Sequence, residues 1–472
     1  MKRLSLVFIV STMLFTACKK NPISPVEGDA DLRACALIVG ADCLEPHTQR
    51  KGDPAAGYDY LVGGDYIRSG IPYDLYLSYY GADNSNYLNR TGDNASINYQ
   101  YTAVDAPNGA RVVAPNCLQC HAQTLNGEFV MGLGNSTYDF TIDQGANATT
   151  LEAGILLLYG ASSPQYEASQ KFLTAIKAVG PHLITEVRGV NPADKLATVL
   201  AAHRDPDDLS WNAVPSMEIP TEVIPSDVPA WWLLKKKYAM FYTAVGRQDF
   251  VRFMMASSLL TVDNHLEAEE IEEDFIDVLA YVETIEAPVY PESIDMNMAS
   301  KGEVVFENNC AVCHGTYGAN ETYPNVLIPT SFVGTDPLLA QSNYDQDYFL
   351  NWFNNSWFGR EPNAGILQAS ASYIAPPLDG VWATAPYLHN GSVPTLEDLL
   401  NSKQRPTYWQ RSFNTSDFDF EKIGWNYSET AAGGSTDIYN TTLPGYSNAG
   451  HTFADELTDE DRKALLEYLK TL

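Results

Sequence analysis

Positive charge is scarce in this 472-residue chain: 29 Lys and Arg stand against 59 Asp and Glu, a formal net charge of −30. Such an acidic surface repels polyanions, which excludes nonspecific binding to nucleic acid or to anionic lipid headgroups. It keeps the protein soluble and can also steer a basic protein partner towards it. After residue 15 no stretch is apolar enough for a membrane helix, so attachment to a bilayer would have to come from a lipid chain. Histidine is limited to eight and cysteine to seven, and the last of nine methionines is Met298. No thioether is therefore available to any site built wholly from residues beyond 298.

What is present is ordinary for a folded protein of two or three domains: 45% hydrophobic and 19% charged residues, with 28 Tyr and 8 Trp promising aromatic-rich packing. Lys2 and Arg3 precede an apolar run from Leu4 to Phe15, then Thr16, Ala17 and Cys18, the layout of a secretory signal. The stretch "LFTAC" is similar to a lipoprotein signal, with Phe15 where Leu is usual, so residues 1–18 are expected to export the chain to the periplasm or cell envelope. Acylation of Cys18 is the expected anchor, and plain cleavage nearby the alternative. In the N-terminal extension, residues 19–109, Cys35 and Cys43 are expected to form a short-loop disulfide worth about 2 to 3 kcal/mol, with two free thiols as the other reading.

The four remaining cysteines fall in "CLQCH", Cys117 to His121, and "CAVCH", Cys310 to His314. C-x-x-C-H suits covalent haem, because two thiols reach the two vinyl groups and the adjacent His becomes the proximal iron ligand. About 0.002 such pentapeptides are expected by chance at these Cys and His frequencies. A thiol redox pair or a zinc site is the alternative, but zinc needs further cysteines near each pair and there are none. Two covalently bound haem c groups follow, with Cys117, Cys120, Cys310 and Cys313 as attachment residues and His121 and His314 as metal ligands.

The chain also repeats itself. "DVLAYVETI", Asp277 to Ile285, matches "ALLEYLKTL", Ala464 to Leu472, in its apolar positions, and 160 residues separate His121 from Tyr281 while 154 separate His314 from Tyr468. Thr458 caps the last helix, and "ASKGEVVFENNC" reads as a helix leading into the second motif. Helical spacing is predicted over 151–200 and 231–260. The expected fold class is mostly α: two cytochrome c-like domains with long loops and insertions, one over 110–286 and one over 299–472, joined by a Pro-containing linker at 287–298.

The ligand on the far side of each iron decides what a haem can do. With no methionine after 298, only His389 and His451 can serve the second haem from its own domain; His451 is the expected metal ligand, and His389 is expected to contact a propionate or a bound water. For the first haem, His265, Met131, Met254 and Met255 are conceivable ligands, and an open position is the preferred reading. Arg247 and Arg252 lie in an otherwise apolar segment and are expected to hold haem propionates, since guanidinium pairs with carboxylate in bidentate fashion. Lys235, Lys236 and Lys237 read as a solvated face, with propionate pairing as the alternative.

"APPLDGVWATAPYLHNGSVPTL", following two C-x-x-C-H motifs, resembles the bacterial di-haem cytochrome c peroxidase superfamily; "DVPAWWLLKKKYAMFY" and "GRQDFVRFMMASSLL" make the rubber-oxygenase-like branch the nearest. The resemblance covers roughly residues 110–472. It implies that the first haem is reactive towards a small oxidant, peroxide or dioxygen, that the second relays electrons from a redox protein donor, and that His451 is the second ligand of the second haem. It places His389 near a haem without ligation, and Trp231 and Trp232 at the first pocket or between the haems, plain packing being their alternative. Classical members use a His/Met second haem; its absence here puts their donor scheme in doubt and favours oxygen chemistry. Calcium between the domains is a further expectation from the acidic loops.

Overall fold

The computed structural model describes residues 35–345 and 347–472. The expected leader and Cys18 lie outside the described residues. Helix makes up about 40% of the structure and strand about 14%, the strands gathered into small sheets of two or three. Helix therefore predominates in a mixed architecture.

Four helices organise the chain. Helix α1, Pro54–Gly63, starts with Asp53 accepting from the backbone N–H groups of Ala55 and Ala56; α2, His265–Val282, is capped in the same way by Asn264. Helix α3, Met296–Asn309, is capped by Asp295, and α4, Asp459–Leu469, by Thr458, whose Oγ1 accepts from Asp461 N at 3.1 Å. They pack as α1 on α2 and α3 on α4.

A glycine sets each contact. At Gly302 a Cβ would run into the Ala464 carbonyl, and one turn on, Phe306 meets Tyr468 with ring centres 5.3 Å apart. At Gly57 a Cβ would run into the carbonyl of Asp277, and one turn on, Leu61 is fully buried. Asp277 and Ala464 occupy the same place in the two matching nonapeptides, so the repeat extends to both helices of each pair. Full burial of Leu61 and Phe306 contributes about 2 to 3 kcal/mol each. Helix α1 lies upstream of residue 110, in the segment read as an extension, yet packs on α2.

Helices Gln144–Tyr159, Pro164–Val179 and Ala193–Ala202 fill the first predicted helical stretch. The second, 231–260, is not one helix but a 3-10 turn (Trp231–Lys236), a strand (Gly246–Gln248), a short helix (Phe250–Met254) and another 3-10 turn. Left-handed backbone at Phe241, Ala244 and Gln248, with φ of 69°, 50° and 67°, breaks the helical path, and Asp249 restarts it by capping Arg252 N.

The two halves share one core. Leu61, Phe275, Trp232, Phe306, Trp382 and Leu465 belong to a single buried cluster. Strand Gly246–Gln248 pairs with Gly365–Leu367. Beneath it Glu272 receives Arg50 at 2.7 Å and Arg252 at 2.9 Å, and Arg50 also pairs with Asp249. At the N-terminal end Cys35 and Cys43 form the expected disulfide, with Cα atoms 5.6 Å apart, and Asp42–Cys43 adds an edge strand to Val326–Leu327.

Candidate functional site

In each motif a single helical turn puts both thiols on one side. Asn116 starts the first, its Oδ1 accepting from Leu118 N at 3.0 Å, and Cys117 N donates to the Tyr66 hydroxyl at 3.2 Å. Asn191 Nδ2 lies 3.4 Å from Cys120 Sγ. None of the four motif cysteines is in a disulfide. Burial pushes the thiols up, Cys120 and Cys313 to about 11 and Cys310 to about 12. A redox-active C-x-x-C needs a depressed thiol pKa, so the environment argues against that chemistry. Among the described residues no three His, Cys, Asp or Glu side chains form a cluster able to hold a metal ion, so neither cysteine pair has the further donors a zinc site needs.

The His314 imidazole is oriented from behind. Its Nδ1 bonds the Pro376 carbonyl at 2.8 Å, leaving Nε2 free to face a metal. Opposite it stands His451, with ring centres 6.1 Å apart and planes at 63°. Metal–imidazole bonds of about 2 Å, with about 1 Å more from each nitrogen to its ring centre, place two axial imidazoles of one metal about 6 Å apart. The 6.1 Å spacing suits two imidazoles that would hold one metal between them, His314 and His451 being the residues to do so. Burial holds His451 neutral, its pKa lowered to about 3, as a ligand must be.

His451 is delivered by a strained loop. Its φ is +47°, its N–H donates to Val333 O at 2.8 Å, and Gly450 packs so closely on Gly334 that a Cβ would collide. Arg405 clamps the turn, donating to the carbonyls of Asn448 and Gly450 at 2.7 Å and of His451 at 3.1 Å.

His121 has a different setting. Its ring stacks on Trp231, 4.5 Å away and 18° from parallel, and Nδ1 is buried without a partner. Gly132 bridges the two: its N–H donates to His121 O and its carbonyl accepts from Trp231 N, both at 2.9 Å. Burial lowers the His121 pKa to about 3. An orphaned buried imidazole beside two unpaired thiols fits a group the protein itself does not supply. Among the described residues no imidazole stands against His121 as His451 stands against His314. His265 is the first residue of α2, its N–H bonded to Asp208 O at 2.7 Å, and makes no ring contact with His121. Met254 and Met255 belong to the main core, and Met131 pairs with Ala122 in the hairpin that follows His121.

The other predicted residues scatter. Trp232 is buried, and its Nε1–H donates to Asp379 O at 2.8 Å, three residues past the Pro376 carbonyl that holds His314. His389 stacks on Tyr373, 4.2 Å away, beside Tyr242, which donates to Asp227 Oδ2 at 2.8 Å. Arg252 is spent on Glu272 and the carbonyls of Trp357, Phe358 and Arg360, so the expectation that it holds a propionate is corrected: it ties α2 to the second half of the chain. Arg247 Nε donates to Ala244 O at 2.5 Å, and nothing brings it to either motif. Lys235 pairs with Glu286; Lys236, its side chain only 16% exposed, pairs with Asp379 and Glu321 and so is not a freely solvated charge; Lys237 reaches the Phe241 carbonyl. Sequence reasoning missed Tyr66, Asn191 and Arg405, and the Pro376 and Asp379 carbonyls, because their roles rest on backbone atoms or on distant contacts.

Residues 372–410 match a family described as RoxA-like, cytochrome c-like. This stretch contains Pro376, Asp379 and His389. The match covers 39 of 472 residues and neither C-x-x-C-H motif; it supports a c-type cytochrome of oxidoreductase type with covalently bound haem c. Two curated relatives are similar over longer stretches, both from Sinorhizobium fredii (strain NBRC 101917 / NGR234) and both titled uncharacterized protein. To y4iJ the chain is 33% identical over 243 residues, 38% of this chain and 39% of the relative. To y4iM it is 28% identical over 299 residues, 54% and 66% of the two chains. The chain thus spans less than two thirds of either.

Proposed function

We propose that the chain is an exported di-haem c-type cytochrome of two cytochrome c-like domains, working as a peroxidase-like oxidoreductase: peroxide or dioxygen is activated at the first haem, and electrons reach it by way of the second. The observation that carries this reading is the asymmetry between the centres. The His314 ring has the His451 imidazole 6.1 Å from it, whereas among the described residues the ring against His121 is the Trp231 indole and not a second imidazole.

Haem iron at these motifs supplies redox chemistry and, where an axial position is open, a binding place for a small oxidant. The chain's residues set the difference. His314 and His451 would hold the second haem from both sides and so would keep water and oxidant from its iron. Trp231 stacks on the His121 ring and fixes its plane, and among the described residues no second imidazole contacts that ring. The consecutive residues Trp231 and Trp232 support a relay: one stacks on His121, and the other is bonded to Asp379 in the loop whose Pro376 carbonyl holds His314. An acidic surface suits a basic redox protein as electron donor.

The leader and the anchor at Cys18 belong to the same proposal and place the protein in the periplasm or cell envelope. A Cys18→Ser variant should shift from the membrane to the soluble fraction. The alternative reading is a non-catalytic electron-transfer protein, with His265 or a Met closing the first iron. Optical spectra with added cyanide, carbon monoxide or peroxide separate the two: an adduct at one centre supports the enzyme, and two inert low-spin centres leave only the carrier.

A further inference from the structure

A row of phenols leads from the first attachment motif to open solvent. Gln119, between the two motif cysteines, donates from Nε2 to the Tyr138 hydroxyl at 3.4 Å, and Tyr101 is the ladder partner of Pro115, two residues before Cys117. The Tyr101 ring lies 5.4 Å from Tyr76, Tyr76 4.9 Å from Tyr80, and Tyr80 4.8 Å from Tyr79. Tyr76 is 3% exposed and Tyr79 80% exposed. The spacing is built by secondary structure. Tyr76, Tyr79 and Tyr80 share one face of helix Tyr73–Tyr80, and Tyr101 opens a strand paired with Arg111–Pro115, which runs directly into the motif. Packing explains Tyr76, which sits in a cluster with Ile97, Ala103 and Val113. It does not explain why two further tyrosines continue the stack outward into water.

We propose that these tyrosines form a one-electron route between the first centre and the surface, ending at Tyr79, where an electron-rich aromatic donor of the phenol class is oxidised without entering the haem pocket. The proposal rests on the reading that peroxide is reduced at that centre. The balance closes. One peroxide takes up two electrons and two protons and becomes two waters, and two external phenols supply them, each leaving as a phenoxyl radical. In each one-electron event Tyr79 loses an electron inward and its hydroxyl proton to water, then regains both from the external phenol. Tyr76, Tyr80 and Tyr101 in turn each lose an electron inward and their hydroxyl proton to water, then regain an electron from the next tyrosine outward and a proton from water, and end unchanged. The acidic surface favours neutral or cationic phenols over anionic ones.

The test uses the haem-loaded protein mixed with hydrogen peroxide and a nitroso spin trap, the trapped residue being mapped by peptide mass spectrometry while the optical response of the haems is followed in parallel. The expected result is an adduct on the peptide containing Tyr79, lost in Tyr76→Phe, which keeps the ring but cannot form a phenoxyl. A centre that responds to peroxide with no adduct at Tyr79, or with an adduct that persists in both Tyr76→Phe and Tyr101→Phe, overturns the route and leaves the peroxidase reading standing. A first centre that gives no optical response removes that reading, and the route with it.

Discussion

The imidazoles of His314 and His451 stand 6.1 Å apart with their planes at 63°, although they lie 137 positions apart in the chain. The contact depends on three backbone devices: the Pro376 carbonyl behind His314, the left-handed turn at His451, and the Arg405 clamp on the residues before it.

Removing one member of this pair should change the spin state of one iron. In His451→Gly the second haem loses its far ligand and is expected to turn from low-spin to high-spin and to bind carbon monoxide. Optical and electron paramagnetic resonance spectra read the change, and an unaltered low-spin signal would assign the position to another residue.

The ion pairs under α2 predict a stability effect. Glu272→Ala leaves Arg50 without one partner and Arg252, with a side chain only 6% exposed, without its anion, a loss expected to cost about 3 to 5 kcal/mol. Denaturant unfolding measures it; a change below about 1 kcal/mol would mean that the network is solvated.

The glycine contacts test the repeat. Gly57→Leu and Gly302→Leu each force a side chain against the backbone of the partner helix, and overpacking of that kind costs about 1 to 3 kcal/mol or more. Similar losses of melting temperature are expected for both. A tolerated Gly57→Leu would separate α1 from the helix pair.

Asp227 gives a pH dependence. Burial pushes its carboxyl up to about 7, against the opposing hydrogen bond from Tyr242. Because an unfolded Asp titrates near about 3.9, the folded state binds this proton more tightly, and stability falls as pH rises from about 4 to about 7. Asp227→Asn should therefore gain on the wild type through that window and hold a constant advantage above it. Melting temperatures taken from pH 4 to pH 8 check this, and a gap that does not vary with pH would contradict it.

Covalent haem attachment needs five contiguous residues, which is why both motifs were legible in the sequence. The nearness of His451 to His314 was legible for another reason: with no methionine after Met298, His389 and His451 were the candidates left to stand there. The closing helices showed in their apolar pattern. Helix α1 did not, since Gly57 and Leu61 carry little signal by themselves and lie far from Cys117. Arg252 reads correctly as a buried cation, but sequence does not say which anion it meets, and Glu272 lies in a helix that looks solvated. Carbonyl partners such as Pro376 and Asp379 are invisible to residue-type reasoning, because every residue has the same backbone acceptor.

The central claim is that iron porphyrin is bonded covalently at both pentapeptides. Intact-mass analysis of the mature protein, followed by peptide mapping, tests it most directly. The account predicts a mass excess of two haems, one carried by the peptide with Cys117 and Cys120 and the other by the peptide with Cys310 and Cys313. An excess of one haem or none, with free thiols at either pair, would contradict it.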